Sequence, residues 1–391
     1  MRNLKFLLFS FILMISVGFK GQVQLSVYSE ISIITVDSGD NLYESFGHSA
    51  LRLKDPVLNL DLVYNYGVFD FNAPNFYTNF VQGRLLYKLV RYNFAYFLDG
   101  YTKDKRWIKQ QVLNLTQPER QAFFLYLEQN AAPKNATYLY DPFFDNCASR
   151  LKDITKDILK EKVDFVDEGI EKDLSFRELM NDQLHWNTWG SFGINMALGN
   201  KLDKKRNPIE YTYLPDYIYE IFKRSTITRN GKIEPLVKKE ILLTDFPSQN
   251  SSSFLFSPLM FFGLLFLIVL YISFKQEESI LRFFDGTLLM ITGLIGTFLL
   301  FLWFFTNHST TPYNFNILWA FPPNIYIGLL ILRNKIKSWF GFYFKLLIAL
   351  IGLLFIFWIF KIQAYSYAIL PVLATLQLRY YLIQKSANKI R

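Results

Sequence analysis

Asp145-Asn146-Cys147-Ala148-Ser149-Arg150 holds the only cysteine in 391 residues, at a point where a helix should begin. Beyond it Leu151, Ile154 and Ile158 recur at helical spacing, with Lys152, Asp153, Lys156 and Asp157 off that face. Asp145 and Asn146 are residue types that cap a helix N-terminus. A thiol there meets unpaired backbone N–H groups and the positive end of the helix dipole, which both favour the thiolate. The competing reading is a small buried hydrophobe.

About a hundred residues upstream stands Glu44-Ser45-Phe46-Gly47-His48-Ser49-Ala50-Leu51-Arg52-Leu53. Residues 26–36 read as a strand and Asp37-Ser38-Gly39-Asp40 as its turn. Alternation then puts His48, Ala50 and Arg52 on one strand face and Ser49, Leu51 and Leu53 on the other. Gly47 allows close approach of another backbone. A second strand over 60–66 can return as a hairpin and bring Asn65 or Tyr66 beside His48. By itself His48 is as readily structural as catalytic.

Composition bounds the rest. The chain carries 40 Phe and 24 Tyr, and its apolar residues concentrate in the last 140 positions. The net charge of +9 comes partly from Arg333, Lys335, Lys337, Lys385, Lys389 and Arg391, which flank apolar segments. No nucleic-acid motif accompanies it, so nucleic acid is not an expected partner. A single cysteine excludes an intramolecular disulfide framework. No metal-ligand cluster stands in the sequence, and no cofactor is expected.

Residues 1–21 read as an export signal, with Arg2 and Lys5 before an apolar run. An uncleaved anchor is the alternative. The segment 69–106 is rich in aromatics, including Phe76, Phe80, Tyr87, Tyr92, Phe97 and Tyr96. Core packing is the ordinary reading, and an apolar lip or acyl-chain groove the sharper one. Residues 117–129 predict an amphipathic helix with Pro118 in its first turn. The Gly- and aromatic-rich stretch 186–199 and the step Tyr213-Leu214-Pro215-Asp216-Tyr217 read as an extension packed on the core domain. His185 lies just before it without an assigned role. Residues 246–253 form a polar linker.

Five membrane spans are expected, at 254–274, 283–305, 315–332, 340–360 and 363–383. With the first beginning outside, 275–278, 333–337 and the C-terminal tail face the cytoplasm, and the outer loop 306–314 has no Lys or Arg. Asp285, Lys345 and Arg379 fall toward cytoplasmic helix ends, where snorkelling or mutual pairing explains them. The outer stretch from Asn307 to Asn324 is dense in uncharged hydrogen-bonding groups. It is either a merely polar interfacial loop or a site for a lipid head group, with His308, Asn314 and Asn316 as candidate substrate-binding residues.

Phe46-Gly47-His48-Ser49-Ala50-Leu51-Arg52, then Tyr64-Asn65-Tyr66-Gly67 and Phe69-Asp70-Phe71, then Asp145-Asn146-Cys147-Ala148-Ser149-Arg150, resemble the circularly permuted NlpC/P60 group of papain-like thiol enzymes. In that group, and in the retinol acyltransferase relatives, the histidine strand precedes the cysteine helix. With its C-terminal spans the whole chain is similar to the Lnb-type lipoprotein N-acyltransferases of Gram-negative bacteria. The region 193–199, the Leu214-Pro215-Asp216 step and the 308–323 loop share that likeness.

The resemblance implies an α+β fold: a permuted papain-like periplasmic domain followed by an all-α bundle of five transmembrane helices. Its domain plan is a signal at 1–21, a thiol-enzyme domain at 22–180, an extension and linker at 181–253 and a bundle at 254–391. It implies a multi-pass protein of the bacterial inner membrane with its N-terminal domain in the periplasm. Cys147 would be the nucleophile, His48 the general base, and Asn65 or, second, Asp70 the orienting group. Cys147 would take an acyl chain from a membrane phospholipid and pass it to the α-amino group of a diacylated lipoprotein. The Cys147 N–H is a candidate oxyanion donor. Two rivals remain at this level: a membrane-tethered cysteine peptidase or amidase, and a non-catalytic lipid-binding assembly protein.

Overall fold

The computed structural model describes residues 23–247, 254–275 and 278–389. The expected signal at 1–21, most of the polar linker and the last two residues lie outside them. Six strands lead in: β1 (Glu30–Val36), β2 (His48–Asp55), β3 (Leu60–Val68), β4 (Leu86–Asn93), β5 (Ile108–Leu113) and β6 (Thr137–Leu139). Between them lie α1 (Phe76–Val81), α2 (Phe94–Lys103) and α3 (Gln117–Ala131), with α4 (Ser149–Leu159) after β6. Thr116 and Glu119 start α3 with a reciprocal capping box. A small sheet of β7 (Val163–Asp164), β8 (Thr226–Arg229) and β9 (Lys232–Pro235) follows, and β10 (Val237–Thr244) returns to the main sheet. That sheet runs β10-β5-β1-β2-β3-β4-β6, antiparallel throughout.

Alternation along β2 and β3 builds two cores. Leu51, Leu53, Tyr64 and Tyr66 pack with Phe123 and Leu127 of α3 and Leu151 and Ile154 of α4. Ala50 and Val63, on the opposite face, pack with Phe94 and Phe97 of α2. The strand expected over 26–36 begins only at Glu30, because Ser26 turns to bond the Asp55 carboxylate through its N–H at 2.7 Å and its hydroxyl at 2.8 Å. Gly47 has φ +72, and a Cβ there would stand 2.8 Å from the Val36 carbonyl oxygen, so glycine lets the chain turn tightly into β2.

Residues 175–224 contribute α5 (Phe176–Gln183), α6 (Trp189–Ala197) and α7 (Pro215–Arg224). Arg177 of α5 is fully buried, paired with Asp203 at 2.9 Å and bonded to the Asn195 side chain at 3.1 Å and the Gly199 carbonyl at 2.8 Å. This layer binds the helical region below. Asp203 accepts the Ala364 N–H at 2.9 Å, and the Gly199 N–H donates to the Thr310 carbonyl at 2.8 Å. A Cβ at Gly199 would come 1.9 Å from the Pro312 carbonyl oxygen, so only glycine fits this crossing.

The C-terminal region holds α8 (Pro258–Lys275), α9 (Glu278–Phe304), α10 (Asn324–Leu332), α11 (Phe340–Ile359) and α12 (Leu370–Lys389). Three of these, α8, α9 and α11, are long and apolar enough to cross a membrane. The span expected at 315–332 is instead a 3₁₀ turn, Phe315–Leu318, followed by the nine-residue α10. Pro322 and Pro323 interrupt it. The irregular stretch packs on α9, where a Cβ at Gly296 would stand 1.7 Å from the Ala320 carbonyl oxygen. The helix expected at 363–383 begins only at Leu370. Arg379 and Asp285 form a buried two-point ion pair, both bonds 2.7 Å, and Lys345 is exposed.

Candidate active site

Cys147 lies in the turn entering α4, held by the side chain of Asn146. That amide oxygen accepts the N–H groups of Ala148 and Ser149, both at 2.9 Å. Its NH₂ group donates to the carbonyls of Pro142 at 2.8 Å and Tyr213 at 2.7 Å, which ties the turn to the extension. Asp145 pairs outward with Arg150 at 2.6 Å. Asn146 is therefore the effective cap, and Asp145 is not.

His48 opens β2 on the face shared with Ala50, and Asn65 stands on β3 on the same face. The register pairing Leu51 with Tyr64 makes them diagonal neighbours. His48 Nε2 lies 2.6 Å from Asn65 Oδ1, and Asn65 Nδ2 donates to the Tyr92 hydroxyl at 3.1 Å. The amide orientation is thus fixed from both ends. With Nε2 engaged by Asn65, the ring is also hydrogen-bonded with the Cys147 thiol. Tyr66 points instead into the core between β3 and α4. Asp70 is exposed, its carboxylate accepting the Asn72 N–H at 2.8 Å. It takes no part in the cluster.

The electrostatics couple the two groups. Burial pushes the Cys147 thiol up, but the His48 charge, a hydrogen bond to that ring and the N–H groups of Ser49 and Ala148 outweigh it, so the thiol lies below its ordinary range. For His48 burial acts downward, and the thiolate charge, the bond to it and the Asn65 bond carry the ring above its ordinary value. Each group thus draws the other toward its charged form.

Several groups around the site escaped the sequence reading. Tyr101 and Phe97 of α2 flank the His48 ring at 6.2 and 6.3 Å between centroids. The Tyr138 hydroxyl is buried and has no hydrogen-bond partner among the described residues. It lies 3.9 Å from where a Cβ at Gly67 would be, and Cys147 Cβ is 3.6 Å from the same point. Alternation along β4 was the only available signal for Tyr92, and none pointed to Tyr138.

The outer-loop residues fall elsewhere. Asn314 and Asn316 are buried at the junction. Asn314 Nδ2 donates to the Met196 carbonyl at 2.7 Å, and Asn316 Nδ2 to the same carbonyl at 3.2 Å. The Asn316 oxygen accepts Trp319 Nε1 at 2.9 Å, and the Asn314 oxygen accepts Gln363 Nε2 at 3.2 Å. Both amides are thus hydrogen-bonded within the chain, at the junction between the two regions. His308 bonds the backbone of Phe80 and Val81, and burial lowers its ring pKa. His185 is exposed, with Nδ1 accepting the Asn187 N–H at 3.3 Å.

A Cys–His–Asn cluster thus stands in a mixed α/β domain that is joined to a region with three helices long and apolar enough to cross a membrane. Residues 19–181 match the family model described as the Lnb N-terminal periplasmic domain, and residues 249–389 match that of the Lnb transmembrane domain. The chain belongs to the Lnb family: an inner-membrane protein of the lipoprotein N-acyltransferase type, with its N-terminal domain in the periplasm. No curated protein and no solved structure matches it.

Proposed function

We propose that this protein transfers an acyl chain from a membrane phospholipid, through a thioester on Cys147, to the α-amino group of a lipoprotein's diacylglyceryl-modified N-terminal cysteine. The observation that carries this reading is the 2.6 Å contact between His48 and Asn65 beside a thiol of lowered pKa. The order of histidine strand, asparagine strand and cysteine helix supports a permuted papain-like domain. The boundaries 22–180 for that domain, 181–253 for the junction and 254–391 for a bundle crossing five times belong to the same proposal.

His48 takes the thiol proton while Asn65 holds the ring. The sulfur attacks the ester carbonyl, a C–S bond forms, the ester C–O bond breaks, and the departing alkoxide takes the proton from His48. A lysophospholipid leaves. The lipoprotein amine then attacks the thioester, a C–N bond forms, and the sulfur departs as thiolate while His48 accepts the amine proton. The Cys147 N–H and the Tyr138 hydroxyl are the donors for the oxyanion.

Intact-mass analysis of lipoprotein N-termini from cells with and without the gene tests this. Loss of one acyl chain on deletion is the expected result. Unchanged lipoproteins with altered cell-wall peptides would replace the transferase by a peptidase.

A further inference from the structure

A continuous series of rings leads from the nucleophile to the membrane side of the domain. Tyr140 lies against Gly67, its Cε2 3.3 Å from a Cβ placed there, beside Cys147. Tyr87 stacks on Tyr140 at 4.5 Å, Phe69 meets Tyr87 at 5.0 Å, and Phe76 stacks on Phe69 at 6.1 Å. Phe80 follows at 6.3 Å, and His308 meets it edge-on at 6.4 Å. His308 belongs to the loop after α9, one of the three apolar helices. Within the series Tyr87 is buried, Phe69 and Phe76 are half-buried, and Phe80 is 48% exposed.

Helix α1, which carries Phe76, Tyr77, Phe80 and Val81, buries none of its residues. Its apolar side chains therefore do not pack a core, and a surface of this kind calls for an apolar partner. The helix is nonetheless fastened at its end nearest the membrane region. The Asn307 N–H donates to the Gln82 carbonyl at 2.8 Å, and His308 bonds the Phe80 and Val81 backbone. One end of the ring series is thus fixed to the membrane region and the other to the catalytic cluster.

We propose that this series is the binding track for the hydrocarbon chain of the donor phospholipid. The inference rests on the acyl-transfer reading above and adds the path of the chain. The ester carbon sits at Cys147, and the chain runs down over Tyr140, Tyr87, Phe69 and Phe76, its methyl end toward Phe80 and the bundle. Ring faces give a flexible chain apolar contact without competing for the hydrogen bonds of the thiolate.

Two measurements on full-length protein in nanodiscs test it. A phosphatidylethanolamine with a diazirine in its acyl chain is photolysed with the Cys147→Ala variant, and the adducts are mapped by mass spectrometry. Adducts on peptides containing Phe69, Phe76 or Phe80 are expected, and adducts confined to α8, α9 and α11 would overturn the track. The Phe76→Ser/Phe80→Ser double variant should acylate Cys147 from long-chain phospholipid about tenfold more slowly, while its alkylation by iodoacetamide stays unchanged. Undiminished acylation would equally overturn it. Failure of wild-type Cys147 to form any thioester would refute the transfer reading, while the photolysis arm still reads the track on its own.

Discussion

Nε2 of His48 and Oδ1 of Asn65 stand 2.6 Å apart across the β2–β3 pair, and the Tyr92 hydroxyl holds the far end of the same amide. Two adjacent strands thus present the ring to Cys147, and the amide holds its orientation.

A reactivity profile follows. Because the Cys147 pKa is lowered, its thiolate should persist at pH values below the ordinary thiol value of about 8.5. Alkylation by iodoacetamide should rise with pH through that depressed midpoint and then level. In His48→Ala the midpoint should move upward, since the cationic partner is gone and burial remains. Asn65→Ala should shift it in the same direction by less and slow acyl transfer about 100-fold. Identical profiles in all three proteins would separate the thiol from the ring.

Tyr138→Phe removes one hydroxyl and little volume. If that hydroxyl stabilises the oxyanion, thioester formation should fall about 10- to 100-fold while the alkylation profile stays in place. Stopped-flow acylation beside alkylation separates the two. Unchanged acylation would return Tyr138 to the core.

Asn314 and Asn316 serve as a test of the junction. Replacing Asn316 by Ala strands the buried Trp319 Nε1–H, at a cost of about 1–3 kcal/mol. Thermal unfolding should shift down, and activity should fall with stability rather than through KM. A selective rise in KM at unchanged stability would instead mark these residues as substrate ligands.

Inside the bundle, Arg379→Met should be strongly destabilising, by about 3–5 kcal/mol, because it leaves Asp285 buried and unpaired. Adding Asp285→Leu should recover most of that loss. The double-variant cycle in unfolding measurements reads the coupling directly, and a double variant as unstable as the single one would show that the pair does not act as a unit.

The helix at Cys147 and the strand at His48 were legible because each is a local pattern: a cap before a 3.6-residue period, and alternation after a glycine. The choice between Asn65 and Asp70 needed the hairpin register, which depends on where β3 ends and the following loop begins. Tyr92 and Tyr138 come from strands that pair only after long separations, so alternation along β4 could place Tyr92 on a face but not beside Asn65, and nothing local marked Tyr138. The polar groups at 314 and 316 were visible, but their partners on α6 were not, and an exposed site and a buried clamp look alike in sequence. Hydropathy over 315–332 concealed the break at Pro322 and Pro323, because a segment packed on another helix is as apolar as one that meets lipid.

The most direct test is the mass of the protein itself. Wild-type protein incubated with phospholipid and no acceptor should gain one acyl chain on the peptide bearing Cys147, released by neutral hydroxylamine and discharged when a diacylated lipopeptide is added. Cys147→Ser should fold, insert and show neither change. Acyl transfer at the wild-type rate by Cys147→Ser would contradict the account.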